Sequence, residues 1–138
     1  MDEDCLFCNK KKQKIIFSSD LLFVVRDSYP VTKLHTLIIP HRHVSYFFDL
    51  NENELIDLNK ILKKQRKALL DLDEKITGFN VGVNAGEDAG QSIMHCHIHL
   101  IPRRKGDIEN PRGGVRGVIP SKQKYNKWKL TILKKQES

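Results

Sequence analysis

The chain has 138 residues, 39% hydrophobic and 30% charged, a composition typical of a soluble domain with a single core. Its apolar runs are too short to span a bilayer and its acidic start, "MDEDCLFCNK", does not resemble a signal peptide, so we expect a cytoplasmic protein without a membrane partner. The formal net charge is +7, and all of the excess lies in residues 103–138, which hold 11 Lys and Arg against 3 Asp and Glu.

Short runs of β-branched and aromatic residues predict strands in the first third of the chain. Residues 15–17 and 21–27 are separated by a polar Ser-Ser-Asp stretch, which predicts a β-hairpin. A further strand is predicted over residues 34–40, where it ends at Pro40 because proline cannot donate to a central ladder.

Beyond Asn51 the apolar period changes to that of a helix, which we expect to run to Leu72. Asn51 and Glu54 have the spacing of a capping box, and Gly78 is expected to mark the end of the helix. Residues 79–84 alternate as a strand, a Gly-rich turn follows, and residues 95–101 predict the last strand. These elements predict an α+β domain whose sheet has one face covered by the helix.

Three of the six histidines alternate in the stretch "HCHIHLIP", residues 95–102. In a strand, His95, His97 and His99 would share one face, while Cys96 faces the core. Clustered imidazoles suppress one another's protonation, so three in register favour chemistry over a purely structural role. Two chemistries remain open from the pattern: a metal held by the alternating histidines, or an imidazole nucleophile supported by its neighbours.

The stretch "QSIMHCHIHLI" resembles the signature of the histidine triad (HIT) family, in which three histidines alternate with apolar residues. "TKLHTLIIPHRHV", "VNAGEDAGQS" and "IPRRKGD" extend the resemblance, most closely toward the fragile-histidine-triad and dinucleoside polyphosphate hydrolase branch. The resemblance implies a HIT-like fold with an antiparallel sheet of about five strands, one long helix and a shorter one. It also implies a homodimer. We expect residues 1–107 to form this domain and residues 108–138 a basic extension that packs on it, lies at the dimer interface or is partly disordered.

The resemblance also implies nucleotidyl transfer on dinucleoside polyphosphates or related AMP conjugates. The middle histidine of the family attacks the α-phosphate and forms a nucleotidyl-histidine intermediate, which water then hydrolyses. Carried onto this chain, His97 is the nucleophile and His99 stabilises charge, with His95 and Gln91 completing the catalytic set. The implied substrate-binding residues are Asp27, His35, Asn84, Gln91 and Ser92. Basic residues expected to hold distal phosphates are Arg103, Arg104, Arg112 and Arg116.

A Cys-x-x-Cys pair at Cys5 and Cys8 could be a zinc pair, a redox pair or chance. Some triad proteins use such a pair, a histidine after the "IP" strand and the first triad histidine as zinc ligands. This resemblance implies a structural zinc held by Cys5, Cys8, His43 and His95, with His41 as the alternative to His43. No organic cofactor is expected.

Several activities share this triad. Adenosine phosphoramidases and dinucleoside polyphosphate phosphorylases are alternatives to a hydrolase, as is an enzyme whose triad binds a catalytic metal. A nucleic-acid-associated protein that binds or deadenylates its partner is an alternative of another class, which the basic extension permits. The extension offers only Tyr125 and Trp128 as large aromatic residues for stacking, so we disfavour a nucleic-acid partner.

Overall fold

A five-stranded antiparallel sheet and one long helix form the framework of this computed structural model, which describes residues 4–125. The elements in chain order are β1 (Phe17–Ser18), β2 (Leu22–Arg26), β3 (Thr36–Pro40), α1 (Glu52–Leu72), β4 (Ile76–Gly82) and β5 (Ile98–Arg104). The strand order is β1-β2-β3-β5-β4. The predicted α+β fold with about five antiparallel strands is confirmed.

The chain divides into two compact units, Met1–Asp107 and Ile108–Ser138. The first contains the whole sheet and α1, and residues 126–138 of the second lie outside the described residues, Trp128 among them. How the predicted basic extension packs therefore stays a prediction. No helix within residues 4–125 is both long enough and apolar enough to cross a membrane.

Both faces of the neighbouring strands β2 and β3 are buried, and these strands are apolar at nearly every position. Leu22, Val24 and Ile38 pack in a core with α1. Alternate residues of the same strands point the other way and pack in a second cluster with the N-terminal segment: Phe23, Val25, Leu37 and Ile39 with Cys5 and Phe7. The prediction of a sheet covered on one face was therefore incomplete, since the N-terminal segment, which has no regular periodicity, covers the second face.

Two expectations about helices were wrong or only partly met. Gly78 does not mark the helix end, because α1 ends at Leu72, Asp73 accepts the backbone N–H of Lys75, and Gly78 lies inside β4. Within residues 4–125 the other helical segments are short 3-10 helices of three to five residues, such as Phe47–Asp49, in place of a shorter second α-helix.

A buried carboxylate fixes the N-terminus of α1. The predicted capping box is confirmed: the side chain of Asn51 accepts from the Glu54 N–H at 2.8 Å, and the Glu54 carboxylate accepts from the Asn51 N–H at 2.9 Å. Glu54 is 1% exposed and forms an ion pair with Arg42 at 2.8 Å. Burial alone would raise the pKa of Glu54, but the hydrogen bonds from Arg42 and Asn51 outweigh it, so its pKa is lowered.

We expect Arg42→Ala to lower the free energy of unfolding by about 1.5–2 kcal/mol, because a buried carboxylate would lose its charged partner. Urea denaturation monitored by circular dichroism measures the change. Lys60→Ala, an exposed position on α1, is the matched control and should have little effect. Equal stability of the two variants would contradict the prediction.

Candidate active site and metal centre

The histidine-rich stretch only partly forms a strand. β5 begins at Ile98, so His95 and His97 precede it, contrary to the prediction of one strand over residues 95–101. The Cys96 N–H donates to the Val44 carbonyl at 2.7 Å, which takes the place of sheet pairing there. The alternation of faces still holds, since Cys96 packs in the core with α1 while the rings of His95 and His97 contact Phe7.

One hydrogen bond determines the tautomer of His97. Its Nδ1 lies 2.8 Å from the His95 carbonyl oxygen, which can only accept, so in the neutral ring Nδ1 carries the proton and Nε2 carries a lone pair. Within residues 4–125, every side-chain nitrogen or oxygen that is fully buried has a hydrogen-bond partner. Nε2 of His97 has no hydrogen-bond partner among these residues, so it is not fully buried. This atom is therefore accessible to a ligand, and it has the electronic form of a nucleophile.

His99 is oriented by a chain of hydrogen bonds that begins at a backbone amide. The Val31 N–H donates to Nδ1 of His35 at 3.0 Å, so the proton of neutral His35 lies on Nε2. That Nε2–H faces Nδ1 of His99 at 2.9 Å and the Asp27 carboxylate at 3.5 Å. Neutral His99 therefore carries its proton on Nε2, as a donor beside the ring of His97 at a centroid separation of 5.2 Å.

Burial keeps this pair of histidines neutral. Desolvation, with smaller contributions from His97 and His35, lowers the pKa of His99 to about 4 against the opposing effect of Asp27. Desolvation likewise lowers the pKa of His35, again against Asp27. At neutral pH both rings are therefore uncharged, as the tautomer chain requires.

The protein should lose stability as the pH falls from about 6.5 toward 4. A folded-state pKa below that of the unfolded chain means that the unfolded state binds protons first, so this contribution is complete above about 6.5 and is lost on acidification. We expect His99→Gln to reduce the slope of the free energy of unfolding against pH in this range, by no more than about 1.4 kcal/mol per pH unit. Urea denaturation at a series of pH values, with His41→Gln as the control, measures it. An unchanged slope in His99→Gln would contradict the assignment.

Four candidate ligands converge at the N-terminal segment: Cys5, Cys8, His43 and His95. Nδ1 of His95 lies 3.3 Å from Sγ of Cys5, 3.5 Å from Sγ of Cys8 and 3.2 Å from Nδ1 of His43. A tetrahedral zinc ion with Zn–N bonds of about 2.05 Å and Zn–S bonds of about 2.3 Å separates its nitrogen and sulfur ligands by about 3.3–3.6 Å. The donor atoms thus already have the spacing of a four-coordinate metal site.

The tautomer of His95 also suits a metal. Its Nε2 lies 2.8 Å from the Pro40 carbonyl oxygen and must donate, which leaves the Nδ1 lone pair directed at the cluster. His41, the alternative to His43, lies elsewhere: its Nε2 contacts the Ser18 hydroxyl and the Ser19 carbonyl oxygen, each at 3.0 Å. The geometry therefore selects His43 as the fourth candidate ligand.

A second close group, Asp27, His35 and His99, is less suited to a metal. His35 accepts from the Val31 N–H at Nδ1 and donates from Nε2 toward His99. A metal at Nε2 would need the proton on Nδ1, where it would oppose the Val31 N–H. A hydrogen-bond relay explains this group without that conflict.

The profile of the HIT domain matches residues 9–106 of the sequence. The chain belongs to the HIT family. An uncharacterized HIT-like protein of Methanocaldococcus jannaschii is 33% identical over 109 residues, which are 76% of this chain and 83% of the relative. The bis(5'-adenosyl)-triphosphatase of Dictyostelium discoideum is 35% identical over 102 residues, 72% of this chain and 66% of that protein.

Among solved structures, a Zn-bound histidine triad family protein from Mycobacterium smegmatis superposes with a TM-score of 0.70 at 26% identity. The match covers 78% of this HIT protein and 80% of that chain. Cys5 and Cys8 precede residues 9–106, so the match to the family profile does not include the Cys-x-x-Cys pair.

The remaining predicted substrate residues lie around the Gly-rich turn of this HIT protein. Gln91 is 5% exposed, and its amide is occupied: Oε1 accepts from the Gly86 N–H, while Nε2 donates to the Ser45 and Ile93 carbonyl oxygens. In this conformation Gln91 fixes the turn, and a phosphate contact would require it to exchange one of these bonds. Asn84 packs beside Gly90, and Ser92 is exposed.

Two of the four arginines expected to bind phosphate are engaged within the first unit. Arg103 pairs with Asp107 at 2.8 Å, and Arg104 pairs with Asp73 at 2.9 Å. In the second unit, the guanidinium groups of Arg112 and Arg116 lie 5.9 and 5.3 Å from the centroid of the Tyr125 ring. Arg112 and Arg116 therefore remain the better candidates for an anion.

Sequence reasoning missed two groups of this site. Phe7, between the two cysteines, contacts both His95 and His97, and its apolar character within the Cys-x-x-Cys pair was the available signal. The Pro40 carbonyl, which sets the His95 tautomer, is a backbone group at the end of β3 and has no side-chain signal in the sequence.

Proposed function

We propose that this HIT protein hydrolyses dinucleoside polyphosphates or related AMP conjugates at the α-phosphate, with His97 as the nucleophile. The observation that carries the proposal is the 2.8 Å bond from Nδ1 of His97 to the His95 carbonyl, which leaves Nε2 free to attack. The similarity to a named bis(5'-adenosyl)-triphosphatase supports this class of substrate.

In the first step, the lone pair on Nε2 of His97 forms a bond to the α-phosphorus. The bond from phosphorus to the bridging oxygen breaks, and its electron pair leaves with the remaining phosphate or nucleotide. The Nε2–H of His99 donates a hydrogen bond to the oxygen that gains charge, because the relay from His35 holds the proton on that nitrogen. Nδ1 of His97 keeps its proton on the His95 carbonyl throughout.

In the second step, water attacks the phosphorus of the nucleotidyl-histidine, and the electron pair of the N–P bond returns to Nε2. One proton of the water is released to solvent, and AMP leaves. The net reaction consumes one water for each phosphoanhydride bond cleaved. His95, Gln91, Asp27, Asn84 and Ser92 are proposed to orient the segment and the nucleotide around this reaction.

The same proposal assigns a structural zinc ion to Cys5, Cys8, His43 and His95. Two thiolates and two imidazoles form a four-ligand set that leaves no open position for a substrate, so the ion would stabilise the fold and take no part in the reaction. The donor spacing of 3.2–3.5 Å supports the assignment.

Product analysis tests the reaction. Diadenosine tetraphosphate should give AMP and ATP whether or not inorganic phosphate is added, and diadenosine triphosphate should give AMP and ADP. A phosphorylase would instead transfer AMP to inorganic phosphate, giving ADP and ATP from the tetraphosphate, and a phosphoramidase would release AMP fastest from an adenosine phosphoramidate. Release of no AMP from any of the three would contradict the proposal.

Arg112 is proposed to hold a distal phosphate of the substrate, on the strength of the positive charge of its segment. We expect Arg112→Ala to raise KM about tenfold with little change in kcat, since one charge-assisted hydrogen bond contributes about 1.5 kcal/mol. Steady-state kinetics on diadenosine tetraphosphate measure KM and kcat separately. Lys122→Ala removes a charge from the same segment and serves as the control. A fall in kcat at constant KM would rule out this role.

Association as a homodimer and a cytoplasmic location stay predictions of the sequence. So does the absence of a nucleic-acid partner. Steep, salt-dependent binding to an oligonucleotide would favour the nucleic-acid alternative over a small nucleotide substrate.

A further inference from the structure

Phe7 is a large aromatic residue placed between the two cysteines of the candidate metal site. Its side chain is 4% exposed and belongs to the cluster on the second face of the sheet. Neither the reaction nor the metal site proposed above uses it. Its contacts nevertheless reach both of those sites.

The Phe7 ring contacts the first two histidines of the triad. Its centroid lies 5.1 Å from that of His97 with the planes tilted by 58°, and 5.9 Å from that of His95 in an edge-to-face arrangement of 80°. These separations lie in the range of favourable aromatic pairs. His97 therefore contacts two rings, that of Phe7 and, at 5.2 Å between centroids, that of His99.

A single hydrogen bond does not fix the direction of an imidazole lone pair. The bond from Nδ1 of His97 to the His95 carbonyl is the one hydrogen bond of this ring among the described residues, and without packing against it the ring can tilt about the bond or swing out of it, which frees the tautomer as well. A second ring packed against the imidazole, as the Phe7 ring is, acts as a wall that limits this freedom. Since a misplacement of about 1 Å can cost about 100-fold in rate, the wall matters for the reaction as well as for packing.

We infer that Phe7 is a positioning residue, which holds the His97 ring in line for attack and is itself held in place by the metal bound to Cys5 and Cys8. This inference rests on the proposed function of His97. The two cysteines are close to Phe7 in sequence: Cys5 lies two residues before it and Cys8 is the next residue. Binding of both thiolates to one ion with His95 fixes the short loop that carries Phe7 relative to the triad segment.

Three variants of the zinc-loaded protein test the inference. Phe7→Ala removes the wall, and Phe7→Leu fills most of the space but lacks the flat ring. Leu6→Ala is the matched control, because Leu6 lies in the same loop and is 47% exposed. Zinc content and thermal unfolding are measured for each, so that loss of metal or fold is separated from loss of position.

Two readouts report on His97 itself. Side-chain ¹⁵N spectra of histidine-labelled protein show which ring nitrogen carries the proton, and kinetics on diadenosine tetraphosphate separate kcat from KM. We expect one Nδ1–H tautomer of His97 in the wild type and in Leu6→Ala. In Phe7→Ala we expect signals shifted toward the average of two tautomers and a kcat about 10–100-fold lower, with KM within about threefold. Phe7→Leu should lie between the two in both readouts.

The inference is overturned if Phe7→Ala retains zinc and shows the His97 spectrum and kcat of the wild type. It is equally overturned if Leu6→Ala has the same effect as Phe7→Ala. Should Phe7→Ala fail to fold, a Phe7→Leu variant that matches the wild type in both readouts overturns it. If the wild type releases no AMP from any substrate, the proposed function fails, while the ¹⁵N spectra still decide whether Phe7 orients His97.

Discussion

Replacement of His97 by alanine is expected to abolish turnover, lowering kcat by about 10⁴-fold or more. The variant loses the only atom that can form the covalent intermediate, Nε2, whereas binding groups and the His99 donor remain. His97 is buried, at 9% exposed, so thermal unfolding of the variant is measured as well, to separate loss of the fold from loss of the nucleophile. Steady-state release of AMP from diadenosine tetraphosphate measures the loss.

Trapping separates a nucleophile from a residue that only binds the substrate. The wild type, mixed with substrate and quenched in base, should carry one nucleotidyl group on a peptide that contains His97, because a phosphorus–nitrogen bond to histidine survives base. His97→Ala should carry none. His41→Ala is the control, since His41 contacts Ser18 and Ser19 away from the triad. Robust activity in His97→Ala would disprove the nucleophile assignment.

Local patterns in the sequence predicted the framework well. The short β-branched and aromatic runs predicted β2 and β3, and the apolar stripe with its capping box predicted α1, because these signals act over a few residues. The wrong prediction that Gly78 ends the helix also came from a local pattern. Glycine both ends helices and tolerates strand positions, and here the Asp73 turn ends α1 before Gly78 is reached.

The candidate site depends on contacts that no local pattern determines. Cys5 and His95 are 90 residues apart in sequence, and only the pairing of β3 with β5 and the path of the N-terminal segment bring them to 3.3 Å. For the same reason the choice between His41 and His43 could not be made from spacing. The resemblance to other triad proteins supplied the ligand set, and the geometry is consistent with it.

The sequence was least informative about tautomers. The resemblance implied that His35 binds the substrate, but the structure makes it the link between the Val31 amide and His99. Backbone amides and carbonyls set the proton positions of His35, His95 and His97, and every residue type presents the same backbone groups. Such roles become visible only with coordinates.

Loss of the metal ligands is expected to have the largest effect on stability. Cys8→Ser should lower the zinc content from one ion per chain to near zero and lower Tm by about 16 °C. An ion present at about 1,000 times its Kd contributes about 4 kcal/mol, and each kcal/mol shifts Tm by about 4 °C in a domain of this size. Elemental analysis of protein purified without chelator, followed by thermal unfolding, measures both quantities.

The third cysteine provides the control for this prediction. Cys96 packs in the core with α1, and burial raises the pKa of its thiol to about 11, so at neutral pH it is not a thiolate ligand. Cys96→Ala should lose some stability from the core but keep its zinc. Added EDTA should reproduce the lower Tm in the wild type and leave Cys8→Ser unchanged, because the variant has no ion to lose. Wild-type protein that contains no zinc and does not respond to EDTA would refute the metal site.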